Sequence, residues 1–313
     1  MGCPVGVKWQ DVPINCHPRM RPRLTKKFLL ALHGGAGAVA GRDYSATEAH
    51  LEQLATECAQ QLRAGERALD VVEFAVTDLE SCGLYVAGRG SAPNSAGYVE
   101  LDASIMNGAD RAAGAVAALR DFENPVGVAR CVMDKTSHVL LAGTGAVRFA
   151  RENAFAEVQS PSDYYVLPVG VTKDDLPHIA HGTVGAVAMD TNGTLAAATS
   201  TGGTFGKLEG RVGDTPLIGP GTWADDDIAI SCTGTGEHII RSGGAVSIAC
   251  AYKAGIPLDK AVNDMLDEVK RLGGDAGVIA ITRDMGIATL YNSQGMKRAS
   301  VSSEQALSVA TFT

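Results

Sequence analysis

The sequence predicts an α/β fold in which strands cluster and helices come in pairs. Three observations carry that reading. A short apolar run near the start is followed by two helical periods, small-residue β-capable runs flank tight-turn signals in the second half, and hydrophobic residues make up 45% of the 313-residue chain alongside 37 glycines. Such a composition suits a tightly packed core.

Taken in order, Phe28 to His33 is a buried strand. Ser45 and Glu48 have capping-box spacing ahead of a helix whose apolar positions Leu51, Leu54, Ala55, Cys58 and Leu62 share one face, stopped at Gly65. Ala68, Val71, Val72, Ala75, Val76 and Leu79 mark a second helix ending near Gly83. Tyr98 to Met106 and Ala112 to Ala118 are strands, and Pro125 to Met133 and Ala146 to Ala154 are helices. Residues 155–182 lose both periods, with Ser160-Pro161-Ser162-Asp163 and Lys173-Asp174-Asp175, and read as a linker. Two hairpin strands follow, then a strand at Ile228 to Cys232, a helical pattern from His238 to Lys253, another from Ala261 to Arg271, and a final strand pair around Arg283 to Gly286. The order permits two sheets between helical layers in one folded domain.

Composition excludes several functions. A net charge of -8 argues against nucleic acid as a partner, and no apolar run approaches the roughly 20 residues of a membrane span. The seven cysteines, Cys3, Cys16, Cys58, Cys82, Cys131, Cys232 and Cys250, are odd in number, scattered and without zinc spacing, so neither a disulfide framework nor structural zinc is expected and a reducing cytoplasm is the simplest home. Residues 1–27 lack an apolar signal core and read as a flexible extension, with Met20 an alternative start.

Thr183 opens the run Thr183-Val184-Gly185-Ala186-Val187-Ala188-Met189, with Gly182 before it. If the bond between Gly182 and Thr183 is cut, Thr183 carries both a hydroxyl and a free α-amine, so nucleophile and general base come from one residue. An α-amine, with an unperturbed pKa of about 7.7–8, has suitable basicity without help. Most strand threonines simply fit a pleated surface, so the neighbours decide. Asp190-Thr191-Asn192-Gly193 carries a tight-hairpin signal, with Asp190 a turn residue. A two-residue loop puts either 184 or 182 opposite 201, and both registers bring Thr201 within one residue of facing Thr183.

Thr233-Gly234-Thr235-Gly236-Glu237 is a glycine-rich turn from strand to helix, which suits an oxyanion, a phosphate or nothing. Gly210-Arg211-Val212-Gly213-Asp214 leaves two readings open. On a surface Arg211 and Asp214 pair with each other; facing a pocket, they hold an α-carboxylate and an α-ammonium. Gly35 to Gly41 superficially matches a dinucleotide loop, but its last spacing is wrong and a second helix stands where a strand is needed. His181, two residues before the proposed cut, reads as a linker residue.

These motifs, together with His33-Gly34-Gly35-Ala36-Gly37 and Thr199-Ser200-Thr201-Gly202-Gly203, resemble the plant-type asparaginase and isoaspartyl aminopeptidase family of N-terminal nucleophile hydrolases, from about Phe28 to Met296. The resemblance implies a four-layer αββα sandwich cut into an α subunit, 28–182, and a β subunit, 183–313. It implies Thr183 as nucleophile, Thr201 as its helper, Thr233 and Gly234 as the oxyanion hole, and Arg211 and Asp214 as the clamp. Val212, Gly213, Thr235 and Gly236 would line that pocket, and His33, Gly34 and Gly35 would form a loop influencing self-cleavage. The implied reaction releases L-aspartate from L-asparagine and from isoaspartyl dipeptides through a β-aspartyl ester. No cofactor is required; a structural sodium ion on backbone carbonyls of the segment holding Leu79, Glu80, Cys82, Tyr85, Ala87 and Arg89, and a homodimer of αβ units, are further implications.

The chain departs from the family pattern at Val86, where asparagine is usual; that lost contact is worth roughly 1–3 kcal/mol, and Asn94 is a candidate substitute. Trp223 and the acids after it stand where tyrosine and asparagine are usual. Two alternatives are a glycosylasparaginase-like hydrolase and an uncut, non-catalytic homologue.

Overall fold

The structure, a computed structural model, describes residues 27–168 and 182–312. The described elements are β1 (Leu29–Ala36), α1 (Ser45–Ala64), α2 (Ala68–Ser81), β2 (Leu101–Asn107), β3 (Ala113–Leu119), α3 (Pro125–Lys135), β4 (Leu140–Ala142), α4 (Gly143–Glu152) and α5 (Pro161–Tyr164). After the undescribed stretch come β5 (Thr183–Met189), β6 (Leu195–Thr201), β7 (Thr222–Ala224), β8 (Ile228–Gly234), α6 (Gly236–Ser242), α7 (Gly244–Lys253), α8 (Leu258–Arg271), β9 (Ala276–Thr282), β10 (Ile287–Tyr291), β11 (Met296–Ser302) and β12 (Ser308–Ala310). The result is a mixed α/β protein with two sheets. Eight strands run β12-β11-β1-β5-β6-β2-β3-β4, and four run β10-β9-β8-β7.

Alternation along β5 shows how these sheets are filled. Val184, Ala186 and Ala188 join a cluster with α1, α2 and α3, whereas Val187 and Met189 join one with Ala229, Ile279 and Ile281 of the smaller sheet. Successive side chains point to opposite faces, so β5 is buried on both. The outer face of the smaller sheet is covered by α7 and α8 through Ile248, Val262, Met265 and Leu266. Thr183 and Gly185 share the side of Val187, so the candidate nucleophile faces the space between the sheets.

Several expectations change in detail. The capping box does not form: Tyr44 is the N-cap of α1, and the Ser45 N–H donates instead to Asp43 Oδ1 at 2.9 Å, because Asp43 supplies a carboxylate two residues earlier. The helix does stop at Gly65, whose left-handed φ of 100° glycine accepts without strain. The pattern from His238 to Lys253 is two helices, because Gly243 and Gly244 both take positive φ. Part of the proposed linker is tied down. Phe122 pairs with Glu157, Val166 N–H donates to Arg89 O at 2.9 Å, and α5 forms with the Ser160 hydroxyl on Asp163. Residues 1–26, which contain Met1, Met20, Cys3 and Cys16, and residues 169–181, which contain His181, lie outside the described residues. Among the described residues all five cysteines are free, no His/Cys/Asp/Glu group could hold a metal, and no helix is long and apolar enough to cross a membrane.

Candidate active site

The hairpin sets the first piece of geometry. Thr183 lies directly opposite Thr201, a register between the two that a two-residue loop allows. The loop has three residues, Thr191 to Gly193, with Gly193 left-handed at φ 81° and the Asp190 N–H donating to Thr194 O at 3.0 Å. Asp190 is a turn residue, as expected; its carboxylate accepts from the N–H groups of Asn192 and Thr194, and from that of Ala68 at the start of α2.

Around Thr183 the contacts are short and buried. The Thr183 hydroxyl lies 3.4 Å from that of Thr201, which donates to Gly182 O at 2.7 Å and accepts from the Gly203 N–H at 3.0 Å. Thr201 thus polarises the carbonyl of the bond preceding Thr183, with the Thr183 hydroxyl beside it. His33 reaches the Thr183 carbonyl through Nδ1 at 3.1 Å. Gly35, at φ 101°, backs onto Thr183: a Cβ there would stand 3.2 Å from Thr183 O. A Cβ on Gly34 would lie 2.3 Å from the Tyr85 ring, so neither glycine tolerates a side chain.

Thr233 and Gly234 end β8 in the sheet facing Thr183. Thr233 Oγ1 accepts from the Ala36 N–H at 3.2 Å, which leaves its own proton to donate. Gly234 has φ 141°, and a Cβ would collide with Asp275 O at 2.3 Å.

One small pocket is lined by Gly182, Thr183, Thr201, Gly203, Thr204, Arg211, Gly213, Asp214, Thr215 and Gly234. It joins both candidate halves, the nucleophile and the clamp. Gly236 touches it from behind, since a Cβ there would lie 2.9 Å from Arg211 Nη2 and from Asp214 Oδ1. Val212, Thr233 and Thr235 do not line it. Thr235 is the N-cap of α6, with its hydroxyl accepting from the Asp275 N–H at 3.3 Å.

The clamp is not the Arg211–Asp214 pair that an ordinary surface would make. Arg211 grips Glu237 with two bonds, Nε at 2.8 Å and Nη2 at 2.9 Å. Asp214 is buried, and its Oδ2 has no hydrogen-bond partner. Burial pushes its carboxyl up to about 7, opposed by a backbone hydrogen bond and by Arg211. A carboxylate of this kind is suited to an arriving cation.

Sequence reasoning missed Thr204, Thr215, Glu237 and the buried Asp102 and Lys207 behind the pocket. Lys207 donates to Glu100 O at 3.1 Å, and burial, the largest influence, lowers its pKa. Glu237 had one signal, its place directly after Gly236. Asn94 does not substitute at the nucleophile, because its amide donates to Glu100 and its carbonyl accepts from Ala96 and Tyr98. Val86 packs on Gly182 instead; a Cβ on Gly182 would meet that of Val86 at 2.2 Å.

Comparison with known proteins gives a consistent result. The sequence pattern of the family described as Asparaginase matches residues 26–166 and 162–311. The chain is 41% identical over 296 residues to the isoaspartyl peptidase of Escherichia coli (strain K12), covering 87% of this chain and 92% of that one. It is 39% identical to the isoaspartyl peptidase/L-asparaginase of Rattus norvegicus, covering 90% and 88%, and 40% identical to that of Bos taurus, covering 86% and 91%.

Proposed function

We infer, for a chain that belongs to the asparaginase family, that Thr183 is the nucleophile of an amidohydrolase acting on L-asparagine and isoaspartyl dipeptides. The observation that carries this is the Thr201 hydroxyl on the Gly182 carbonyl, 2.7 Å away, beside the Thr183 hydroxyl. In the uncut chain, Thr183 Oγ1 attacks the Gly182 carbonyl carbon while Thr201 stabilises the developing oxyanion. The C–N bond breaks, the hydroxyl proton passes to the Thr183 nitrogen, and water hydrolyses the resulting ester. The products are an α subunit ending at Gly182 and a β subunit beginning with the Thr183 amine.

That amine takes the Thr183 hydroxyl proton in turnover. Thr183 attacks the side-chain carbonyl of the substrate, and the Thr233 hydroxyl and Gly234 backbone face the oxyanion. Ammonia or an amino acid leaves with the proton. Water then cleaves the β-aspartyl ester and releases L-aspartate. Arg211 receives the α-carboxylate and Asp214 the α-ammonium. Both substrate classes present the same acyl end to this clamp, which supports acceptance of either leaving group.

The layering supports the αββα sandwich implied by the resemblance: helices lie outside both sheets and an apolar cluster lies between them. The turn after α2 suits a hard cation such as sodium. The chain folds back tightly there, with Gly88 and Gly90 packed against the carbonyls of Glu80 and Tyr85, where a Cβ would stand 2.4 and 2.0 Å away. A dimer of processed units completes the proposal, and sedimentation tests it.

The deciding experiment is Thr183→Ala, followed by intact mass and by aspartate release. Wild type is expected to give fragments split at Gly182, and the variant to stay whole with turnover lowered on the order of 10⁴-fold or more. A variant that still cleaves itself and releases aspartate would overturn the assignment.

A further inference from the structure

Beneath Thr183, between the sheets, runs a row of polar side chains that the reaction above does not use. His33 Nδ1 lies 3.1 Å from Thr183 O, and His33 Nε2 lies 2.8 Å from Ser231 Oγ. Ser231 Oγ lies 2.8 Å from Thr199 Oγ1, which lies 2.5 Å from Thr222 Oγ1. Ser104 Oγ lies 2.8 Å from Thr222 Oγ1 and 2.6 Å from Thr215 O. All five side chains are 0% exposed. They alternate between the sheets: His33, Thr199 and Ser104 come from the larger, Ser231 and Thr222 from the smaller. Gly185 makes room for the row, because a Cβ there would lie 2.1 Å from Ser231 Oγ and 2.4 Å from His33 Nε2.

Both ends of the row are carbonyl oxygens, which only accept. Six contacts join the two ends, and each needs one proton. Burial holds the His33 ring neutral, with its pKa pushed down to about 3, so it brings one proton and each hydroxyl brings one. Five protons therefore serve six contacts. If His33 carries its proton on Nδ1, the shortfall falls where Ser104 must serve both Thr222 and Thr215. If the proton is on Nε2, the shortfall falls at the Thr183 carbonyl.

We propose that this row is a positioning chain, one proton short, that ties the carbonyl of the nucleophile to the carbonyl beside Asp214 and so couples the two halves of the active site. The proposal rests on the reading of Thr183 and Asp214 given above. Hydrogen-bond chains polarise their members, and the two polarities, each running outward to its end carbonyl, compete, so a change at Thr222 is felt at His33, three side chains away. Removing the Thr222 hydroxyl leaves three contacts and three protons between Thr183 O and Thr199. Removing the Ser104 hydroxyl leaves four and four. In either case the row fills, and the His33 proton settles on Nδ1.

The test is the ¹⁵N signal of the His33 ring in histidine-labelled full-length protein, assigned by its loss in His33→Gln. Wild type is expected between the values of the two tautomers. Thr222→Val and Ser104→Ala are expected to move to the Nδ1–H values, and Thr222→Ser to return to wild type. Ser104→Ala is also expected to lose roughly three- to tenfold in kcat/KM for asparagine, mostly through KM, as the Thr215 anchor is released. Identical ring signals in all the variants, or a ring protonated on both nitrogens, would overturn the chain. An unmoved KM would overturn its link to the clamp. The ring signal is read without turnover, so failure of Thr183 as nucleophile and failure of this chain are separate outcomes.

Discussion

The two halves of the proposed active site are built from different materials. Around Thr183 the polar groups are neutral hydroxyls, a neutral imidazole and backbone carbonyls, linked to one another inside the core. Around Arg211 they are charges: Asp214 buried with one oxygen unpartnered, Arg211 bound to Glu237, and Asp102 and Lys207 buried behind them. The neutral half is assembled before any substrate arrives. The charged half carries desolvated carboxylates that an ammonium group would stabilise, so in the proposed reaction binding energy would be stored on the substrate side and reactivity positioned on the other.

Removing the Thr201 hydroxyl breaks the neutral half. Thr201→Val retains the shape but leaves the Gly182 carbonyl without its donor, and self-cleavage is expected to slow by about 10²–10³-fold, the usual loss for an oxyanion donor. Thr201→Ser retains the hydroxyl and is expected to remain near wild type. A time course on denaturing gels reads both. Equal rates in the valine and serine variants would mean that the hydroxyl is not the active feature.

Asp214→Asn breaks the charged half without touching Gly182. A hydrogen bond to a charged group contributes roughly 1.5–3 kcal/mol, so KM for asparagine is expected to rise by about 10–150-fold while self-cleavage continues. The sign of the pH dependence follows from the raised carboxyl. Only the ionised form pairs with an ammonium group, and Asp214 ionises near 7 instead of 3.8. KM is therefore expected to climb as pH falls through 7, by up to about tenfold per pH unit below it. The asparagine variant should lose that component. Ammonia release measured between pH 5.5 and 8.5 checks it, and a wild-type KM flat across that range would contradict the clamp.

The same division explains what could be read from the sequence. The neutral half was legible because it depends on local order: β-capable runs around Asn192-Gly193 put Thr201 near Thr183, and a one-residue difference in loop length shifted the register without separating them. The charged half was legible only as residue types. Arg211 and Asp214 could be named, but the partner of Arg211 comes from the start of a helix in the other sheet's layer, a contact that no spacing encodes. The row from His33 to Ser104 was invisible for the same reason, since its members lie on five different strands. Asn94 failed as a substitute because its own turn uses both ends of its amide.

Glu237→Gln sharpens the comparison with the smallest effect. Glu237 occupies Nε and Nη2 of Arg211, the side edge of the guanidinium, and leaves Nη1 free of that contact. Gly213 lies against the same group, where a Cβ would stand 2.9 Å from Nη1. On the proposed clamp, Glu237 would act as a splint holding Arg211 in place, not as a rival for the substrate carboxylate. Its side chain is 56% exposed, so solvent weakens the pair to roughly 0.2–1 kcal/mol. A two- to fivefold rise in KM is expected, with kcat unchanged. A fall in KM would show that Glu237 competes with the substrate, and would move the charged half from preorganised to self-inhibited.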